Sequence, residues 1–287
     1  MPEMAWSELT KLPEQFKDLT VGTVGKVGVV VLSRPQKLNA LGPGFWSCFK
    51  QAVQALEHTE SVRCILVCGE GRHFCAGIEV SYLAAMIGEM QQLSCPARQR
   101  EHFRRSLLTL QDTLSCVEQC RCPVIAAVHG ACIGGGVDLI TACDVRVCSK
   151  DATFCVKEVD LGITADLGTL QRLPHIIGHG AASDLAITAR TIGCEEALRL
   201  GLVTQVLGSS REELVSGAMQ LAQQVAAKSP LALVGTKRVL RHTRDHGGAV
   251  AAGLEYVATY NAAMLVSEDL SLAMTAPRGS TPVFSKL

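Results

Sequence analysis

The chain has 287 residues, of which 48% are hydrophobic and 19% are charged, the balance of a packed globular protein with one large core or a core and an appendage. Lys and Arg together number 27, as do Asp and Glu, so the formal net charge is zero. The absence of a dense basic run and of a long uncharged apolar stretch argues against nucleic-acid binding through phosphates and against a membrane span.

The first part of the chain alternates short apolar runs with amphipathic ones. Two β-rich runs separated by Gly25 are predicted within 19–32, and the apolar spacing over 43–60 predicts a helix. The later predictions, in chain order, are a strand at 62–69, a loop leading into a helix at 72–86, a long helix at 97–121, a strand at 123–130, a helix after Gly134–Gly136, and strands in VRVCS and TFCVKE. Strands and helices in this order predict an α/β core.

From residue 195 onward the pattern is helical. The predicted helices are 195–201, 211–228, 230–246, 249–266 and a short one near 268–275. Helices without intervening strands need a surface to cover, so we expect them to pack on the core or on a neighbouring subunit. The pattern therefore divides the chain into a core, 1–196, and a C-terminal helical region, 197–287.

Thirteen cysteines are scattered through apolar segments, which favours buried free thiols over disulfides. The cluster of Cys116, Cys120 and Cys122 fits zinc poorly, because no second set of ligands follows it. We therefore predict structural thiols and no metal site.

The sequence ends in Ser285-Lys286-Leu287, which at a free C-terminus is a peroxisomal import address. The first residues lack the apolar stretch of a secretory signal, and their acidic residues argue against a transit peptide. We expect a peroxisomal protein with the import receptor as a partner, and a mitochondrial form stays open.

Three successive glycines, Gly134 to Gly136, stand between a predicted strand and a predicted helix. Glycine lets the backbone approach a ligand closely, and the start of a helix presents free N–H groups. A structural turn is one alternative, and a phosphate loop is another, weakened because the Walker pattern is missing. A second turn of small residues, Ala76-Gly77, also precedes a helix. Two such turns, brought together, would aim two N–H groups at one oxygen and form an oxyanion hole.

Three acidic residues lie in apolar or glycine-bearing surroundings: Asp138, Glu158 and Asp166. Burial of a carboxylate is costly unless its pKa rises or a partner compensates it, so these positions are candidates for catalysis. Each also has a structural alternative. Asp138 and Asp166 are candidate helix N-caps, and Glu158 is a candidate exposed residue at a strand end, with Asp160 equally eligible for its role.

Four runs, taken together in order and spacing, resemble the enoyl-CoA hydratase/isomerase, or crotonase, superfamily. They are RPQKLNAL (34–41), HFCAGIEV (73–80), VIAAVHGACIGGGVDLITACDVRV (124–147) and FCVKEVDLGITADLGTLQRLP (154–174). The resemblance implies a crotonase-like α/β spiral of strand–strand–helix turns with a C-terminal helical region. It also implies trimers that often pair into homo-hexamers.

The resemblance further implies an acyl-CoA thioester substrate, so that coenzyme A is part of the substrate and no separate cofactor is expected. The thioester oxygen is implied to be held by the N–H groups of Ile78 and Gly135. The residues implied at this substrate-binding wall are Ala76, Gly77, Ile78, Glu79, Val80 and Gly135. The family usually carries Asp at the position of Glu79, a departure that bears on loop geometry and not on the backbone donor. The candidates for contacts with the phosphates of coenzyme A are Lys37, Lys237 and Arg238, for which a solvated surface position is an equal alternative.

The acids indicate a branch of the superfamily. Its hydratases carry Glu at the position of Asp138 and another at Glu158, and usually Gly at the position of Asp166. The set found here instead resembles the branch that converts 3,5-dienoyl-CoA into 2,4-dienoyl-CoA in β-oxidation, as do GLEYVATYNAAMLVSEDL (253–270) and the terminal FSKL. The resemblance implies that Glu158 removes the C2 proton, Asp166 protonates C6 and Asp138 sets protonation states, with base and acid interchangeable at this point. A 2-enoyl-CoA hydratase and a non-catalytic acyl-CoA-binding protein are the alternatives.

Overall fold

The computed structural model describes residues 8–277 and 280–286, so Leu287 of the predicted import address lies outside the described residues. The strands are β1 (Thr10–Lys11), β2 (Leu19–Val24), β3 (Val27–Leu32), β4 (Cys64–Gly69), β5 (Val124–Val128), β6 (Ala131–Ile133), β7 (Val145–Cys148), β8 (Thr153–Cys155), β9 (Ile192–Gly193) and β10 (Gln205–Val206). The helices are α1 (Pro43–His58), α2 (Val80–Gln91), α3 (Pro96–Gln119), α4 (Gly135–Ala142), α5 (Thr169–Ile177), α6 (His179–Thr188), α7 (Cys194–Leu200), α8 (Arg211–Ala226), α9 (Pro230–Asp245), α10 (Val250–Met264) and α11 (Glu268–Thr275). Two short 3₁₀ turns span Pro35–Lys37 and Glu158–Leu161.

Seven strands form one mixed sheet in the order β1-β2-β3-β4-β5-β7-β10. β2 and β3 are an antiparallel hairpin, whereas β3, β4, β5, β7 and β10 run parallel to one another. Every residue of β3, β4 and β5 is buried, as expected for parallel strands covered on both faces. A second, three-stranded sheet has the order β6-β8-β9.

Helices cover the two faces of the large sheet with separate cores, because successive side chains of a strand point to opposite sides. One core joins Val30, Ile65 and Val67 to α1, α3 and α4. The other joins alternate strand residues to α8 through Leu214 and Ala218. The predicted α/β fold with a C-terminal helical region is confirmed. The predicted division at residues 196 and 197 falls within α7 and stays a division by sequence pattern.

Some predicted elements differ from the structure. The strand predicted through TFCVKE ends at Cys155, and the chain then turns into the 3₁₀ segment that begins at Glu158. Helices α5 and α6 follow this segment; the sequence indicates α5 only through the alternative that Asp166 is a helix N-cap, and it gives no prediction for α6. The helix predicted to end at residue 86 continues to Gln91.

Lys237 is 8% exposed and fully engaged inside the protein. Its ammonium group donates to the main-chain oxygens of Val117 and Cys122 at 2.8 and 2.9 Å. It also pairs with Asp144 at 2.7 Å. These three partners use the whole donor capacity of an ammonium group. Lys237 is therefore neither available for a coenzyme A phosphate nor a solvated surface lysine, and both alternatives given for it are wrong.

Thirteen cysteines are free in the structure, ten of them buried, in agreement with the prediction of buried thiols. Within residues 8–277 and 280–286, no group of three or more His, Cys, Asp or Glu side chains is arranged to hold a metal ion. In the same described residues, none of the helices combines the length and the apolar character that crossing a bilayer requires.

Candidate active site

The first wall of the site is a short parallel pairing between the segment before α1 and the segment before α2. Leu41 N donates to Gly77 O at 2.8 Å, and Glu79 N donates to Leu41 O at 3.1 Å. In an extended segment, successive N–H groups point to opposite sides, so Ile78 directs its N–H away from Leu41. Gly77 stands at φ 95°, a conformation that favours glycine.

The second wall is the start of α4. Gly134 has φ 49° and turns the chain from β6 into the helix. Gly135 is the first helical residue, so no preceding turn offers an acceptor to its N–H. Cys75 joins the two walls, because its N–H donates to Ala131 O at 3.1 Å and its carbonyl accepts from Ile133 N at 3.0 Å.

The two free N–H groups therefore meet. A β-carbon added to Gly135 would lie 3.7 Å from Ile78 N, and one added to Gly77 would lie 3.9 Å from Gly135 N. Neither Ile78 nor Gly135 donates its N–H to a backbone acceptor in the described part of the chain. Two adjacent, unpaired backbone donors are the arrangement that stabilises a developing oxyanion.

The two donors and the three predicted acids line one narrow cavity of about 50 Å³. The other lining residues are apolar and come from α2, α3 and the loop before α5: Leu83, Met86, Phe103, Leu107, Leu110, Ile163 and Leu167. Apolar walls around a few polar groups are typical of a site for a small molecule. The remaining residues predicted at the substrate wall shape the adjoining turn rather than the cavity: Ala76, Gly77, Glu79 and Val80.

Glu79 extends away from the cavity towards the other segment of the first wall. Its carboxylate accepts from Arg34 Nη1 at 2.8 Å and from Ser81 Oγ at 3.0 Å. Lys37, a candidate phosphate contact, is exposed and lies 4.0 Å from the same carboxylate. Glu79 stands where the resemblance implies Asp, and its longer side chain ties the turn before α2 to the turn before α1.

Asp138 is 1% exposed and lies in the first turn of α4. Its Oδ1 accepts from Thr169 N, the first residue of α5, at 2.6 Å. It therefore caps a helix other than its own, and the alternative that it caps α4 is wrong. Burial raises the pKa of Asp138 to about 6. The hydrogen bonds from Thr169 act to lower this pKa, whereas the charge of Asp166 acts to raise it.

Glu158 is 8% exposed, so the alternative of an exposed residue at a strand end is wrong. Its Oε1 would lie 3.2 Å from a β-carbon on Gly134, and its Oε2 is buried without a partner in the described structure. Burial, followed by the charge of Asp138, raises the pKa of Glu158 to about 7. Asp160, by contrast, is exposed and pairs with Lys157.

Asp166 lies half-buried on the loop between the 3₁₀ turn at Glu158 and α5. Burial raises its pKa. The N-cap of α5 is Gly168, so the alternative that Asp166 caps this helix is wrong. Its main-chain oxygen accepts from Gln111 Nε2 of α3 at 2.7 Å, a contact for which the sequence carried no signal.

The three carboxyl groups titrate as a coupled set. Burial raises the pKa of each group, and the charge of one carboxylate raises the pKa of a neighbour. Neighbouring carboxylates in an apolar cavity do not all ionise at neutral pH. We therefore expect one carboxyl to keep a proton while another is ionised. A site in this state holds both a base and an acid.

The raised pKa of Glu158 makes stability depend on pH. The folded side chain has a pKa of about 7 against 4.5 when free, so its contribution to stability is full below about pH 4 and falls as pH rises through about 7. We expect Glu158→Gln to match the wild type near pH 4 and to exceed its free energy of unfolding by about 1–3 kcal/mol near pH 8. Chemical denaturation at fixed protein concentration measures this, with Asp160→Asn as control. A difference that does not grow with pH contradicts it.

Two backbone donors beside buried carboxyls are the arrangement expected of an enzyme that stabilises an oxyanion. The enoyl-CoA hydratase/isomerase family matches residues 22–267, and the chain belongs to this family. It is 46% identical over 278 residues to the peroxisomal Δ3,5-Δ2,4-dienoyl-CoA isomerase of Arabidopsis thaliana, covering 96% of this chain and 99% of that one.

The mitochondrial Δ3,5-Δ2,4-dienoyl-CoA isomerase of Homo sapiens is 42% identical over 264 residues, which are 90% of this chain and 79% of the human one. The crystal structure of an enoyl-CoA hydratase from Bacillus anthracis has a TM-score of 0.82 at 26% identity, covering 94% of this chain and 99% of that chain. The fold is thus common to both reactions, and the sequence lies nearer to the isomerases.

Proposed function

We propose that this chain is a Δ3,5-Δ2,4-dienoyl-CoA isomerase, which converts 3,5-dienoyl-CoA into 2,4-dienoyl-CoA. The observation that carries the proposal is the convergence of Asp138, Glu158 and Asp166 on one apolar cavity with the free N–H groups of Ile78 and Gly135. Similarity to relatives named for this activity supports it.

The reaction needs a base at one end of the conjugated chain and an acid at the other. Glu158 takes a proton from C2, and the electrons of the C–H bond pass into the conjugated system to give a dienolate. Its negative oxygen accepts hydrogen bonds from Ile78 and Gly135. Asp166 then gives a proton to C6, which leaves double bonds at C2 and C4. Glu158 ends protonated and Asp166 ionised, and a proton returning from Glu158 to Asp166 restores the site.

Position relative to the oxyanion hole supports this assignment. C2 is bonded to the thioester carbon, so the base for C2 has to lie next to the donors. Glu158 Oε1 lies against Gly134, the residue before the donor Gly135. Asp166 is carried by a different segment, the loop before α5, as suits a group that acts four carbons farther along the substrate.

Asp138 has a different place in the proposed mechanism. One of its oxygens is committed to Thr169 N, so it fastens the turn that follows Asp166. Its charge also raises the pKa of Glu158. Asp138 therefore sets where the shared proton resides, and neither proton transfer is assigned to it.

An absorbance assay separates the proposed reaction from hydration. The extended conjugation of a 2,4-dienoyl-CoA product is expected to raise near-ultraviolet absorbance when the protein is given 3,5-dienoyl-CoA. Addition of water to a 2-enoyl-CoA lowers it. Faster turnover of the 2-enoyl substrate would favour the hydratase alternative, and binding of both thioesters without turnover would favour the non-catalytic one.

The assembly and the location follow as further parts of this proposal. We propose the homo-hexamer of paired trimers that the family resemblance implies. A contact between subunits is supported by α10, which has no buried residue and lines an apolar cavity of about 450 Å³ with α9 and α11. Ser285-Lys286-Leu287 supports import into the peroxisome through the import receptor. The relatives include a protein named peroxisomal and others named mitochondrial.

A further inference from the structure

We propose that Arg172 of α5 is a positioning residue for Asp166, because it holds the turn that joins Asp166 to α5. The inference rests on the proposed function, in which Asp166 delivers the proton to C6. Arg172 is not among the residues that line the cavity, so we expect it to act through this turn and not by contact with the substrate.

Arg172 is 8% exposed, and its guanidinium group makes hydrogen bonds in three directions. Nε and Nη2 donate to the two carboxylate oxygens of Glu118 on α3, at 3.1 and 2.7 Å. Nη2 also donates to Ser115 Oγ at 2.8 Å, and Nη1 donates to Leu167 O at 3.3 Å. A planar, bidentate pair of this kind fixes orientation as well as distance, so α3 sets the position of the residue directly after Asp166.

Gly168 leaves room for this arrangement. It stands at φ 125°, and a β-carbon on it would overlap Arg172 Nη1. The guanidinium group therefore occupies the space of the missing side chain and lies flat against the backbone of the turn. Any larger residue at position 168 would displace it.

The turn is fastened at two further points. Gln111 of α3 donates to Asp166 O at 2.7 Å, and Thr169 N donates to Asp138 at 2.6 Å. Asp166 is thus held by Gln111 of α3, Leu167 by Arg172, which is anchored to α3, and Thr169 by Asp138. Loss of Arg172 removes the central attachment.

The Glu118 carboxylate is itself held in its charged form. Although burial opposes ionisation, Arg172 and Arg244 keep its pKa below the ordinary value, and Arg244 Nη1 lies 3.0 Å from it. The ion pair that orients Arg172 therefore persists at neutral pH. The positive charge of Arg172 also acts to lower the pKa of Asp138, opposite to the effect of burial.

Of the two proton transfers, only the one at C6 uses a group carried by this turn. Glu158 lies on the preceding 3₁₀ segment, and the oxyanion donors lie at the starts of α2 and α4. Displacement of the turn should therefore slow protonation at C6 and leave removal of the C2 proton nearly intact. A general loss of structure would instead slow both steps together.

The test compares two rates for Arg172→Gln in deuterium oxide: formation of 2,4-dienoyl-CoA, and appearance of deuterium at C2 of recovered 3,5-dienoyl-CoA. We expect product formation to fall about 10- to 100-fold through kcat, because misplacement by about 1 Å costs on this scale, while C2 exchange per enzyme changes much less. Arg172→Lys, which keeps the charge without the bidentate geometry, should recover part of the rate. The control is Arg190→Gln, which removes a bidentate pair with Glu196 far from the cavity and should leave both rates unchanged.

Equal falls in product formation and C2 exchange, or no change in either, would overturn the positioning role. Should Arg172→Gln fail to fold, Gln111→Leu tests the same turn from its other attachment, with the same two rates and the same criteria. A wild-type protein that forms no 2,4-dienoyl-CoA would instead overturn the proposed function, and this inference with it.

Discussion

Replacement of Glu158 by Gln is expected to lower kcat for formation of 2,4-dienoyl-CoA by about 10²–10⁴-fold, the usual contribution of a positioned general base. The amide keeps the size of the side chain and removes the basic carboxylate oxygen beside Gly134. Exchange of solvent deuterium into C2 of the substrate should fall with kcat, because both begin with removal of the C2 proton.

Two matched variants sharpen this test. Asp160→Asn removes an acid two residues away that is exposed and paired with Lys157, and it should keep the wild-type rate. Asp166→Asn should block product formation while C2 exchange continues. The reverse pattern, with exchange abolished by Asp166→Asn and kept by Glu158→Gln, would interchange the base and the acid.

A methyl group added at residue 135 is expected to lower kcat by about 10²–10³-fold, as loss of one oxyanion donor does. In Gly135→Ala the new β-carbon would lie 3.7 Å from Ile78 N and 3.0 Å from Leu41 Cδ1, so it intrudes where the thioester oxygen has to meet both N–H groups. The dienolate forms before C6 is protonated, and exchange at C2 also passes through it. In Gly135→Ala, C2 exchange should therefore fall in parallel with product formation, unlike in Arg172→Gln.

The control for this variant is Gly180→Ala in α6, where an added β-carbon meets no atom within 4 Å. It should keep the wild-type rate. Circular dichroism and the midpoint of thermal unfolding establish that both proteins are folded. An unchanged kcat for folded Gly135→Ala would contradict the assignment of this backbone donor.

The strands and long helices were predictable because their patterns are strong and local. β3, β4 and β5 are short, wholly apolar runs between breakers, and α1 and α3 carry clear helical spacing. The turn at Glu158 is predicted as a continued strand because Thr153, Phe154 and Val156 favour a strand locally, while the contacts that order the turn come from distant parts of the chain. α5 begins on a backbone N–H held by Asp138, which is 31 residues earlier in the chain.

The acids and glycines of the site were found because each is out of place in its own segment: a carboxylate in an apolar run, or three glycines before a helix. What holds them was not predictable. Gln111, Glu118 and Arg172 are ordinary polar residues of amphipathic helices, and only the folded chain brings them together beside the turn that joins Asp166 to α5. Lys237 illustrates the opposite error, since a basic residue on a helix resembles a surface cation until its buried partners are known.

The two donors of the oxyanion hole belong to the main chain, which has an evolutionary consequence. Substitution of Ile78 by any other L-residue that has a backbone N–H leaves this donor in place. In the proposed mechanism, the ability to stabilise an enolate is therefore inherited with the scaffold. In the proposed mechanism, which reaction follows then depends on the acids at 138, 158 and 166. A lineage or a designer can redirect such a scaffold to a new reaction by substituting these few positions, while the part that makes the enolate accessible is left untouched.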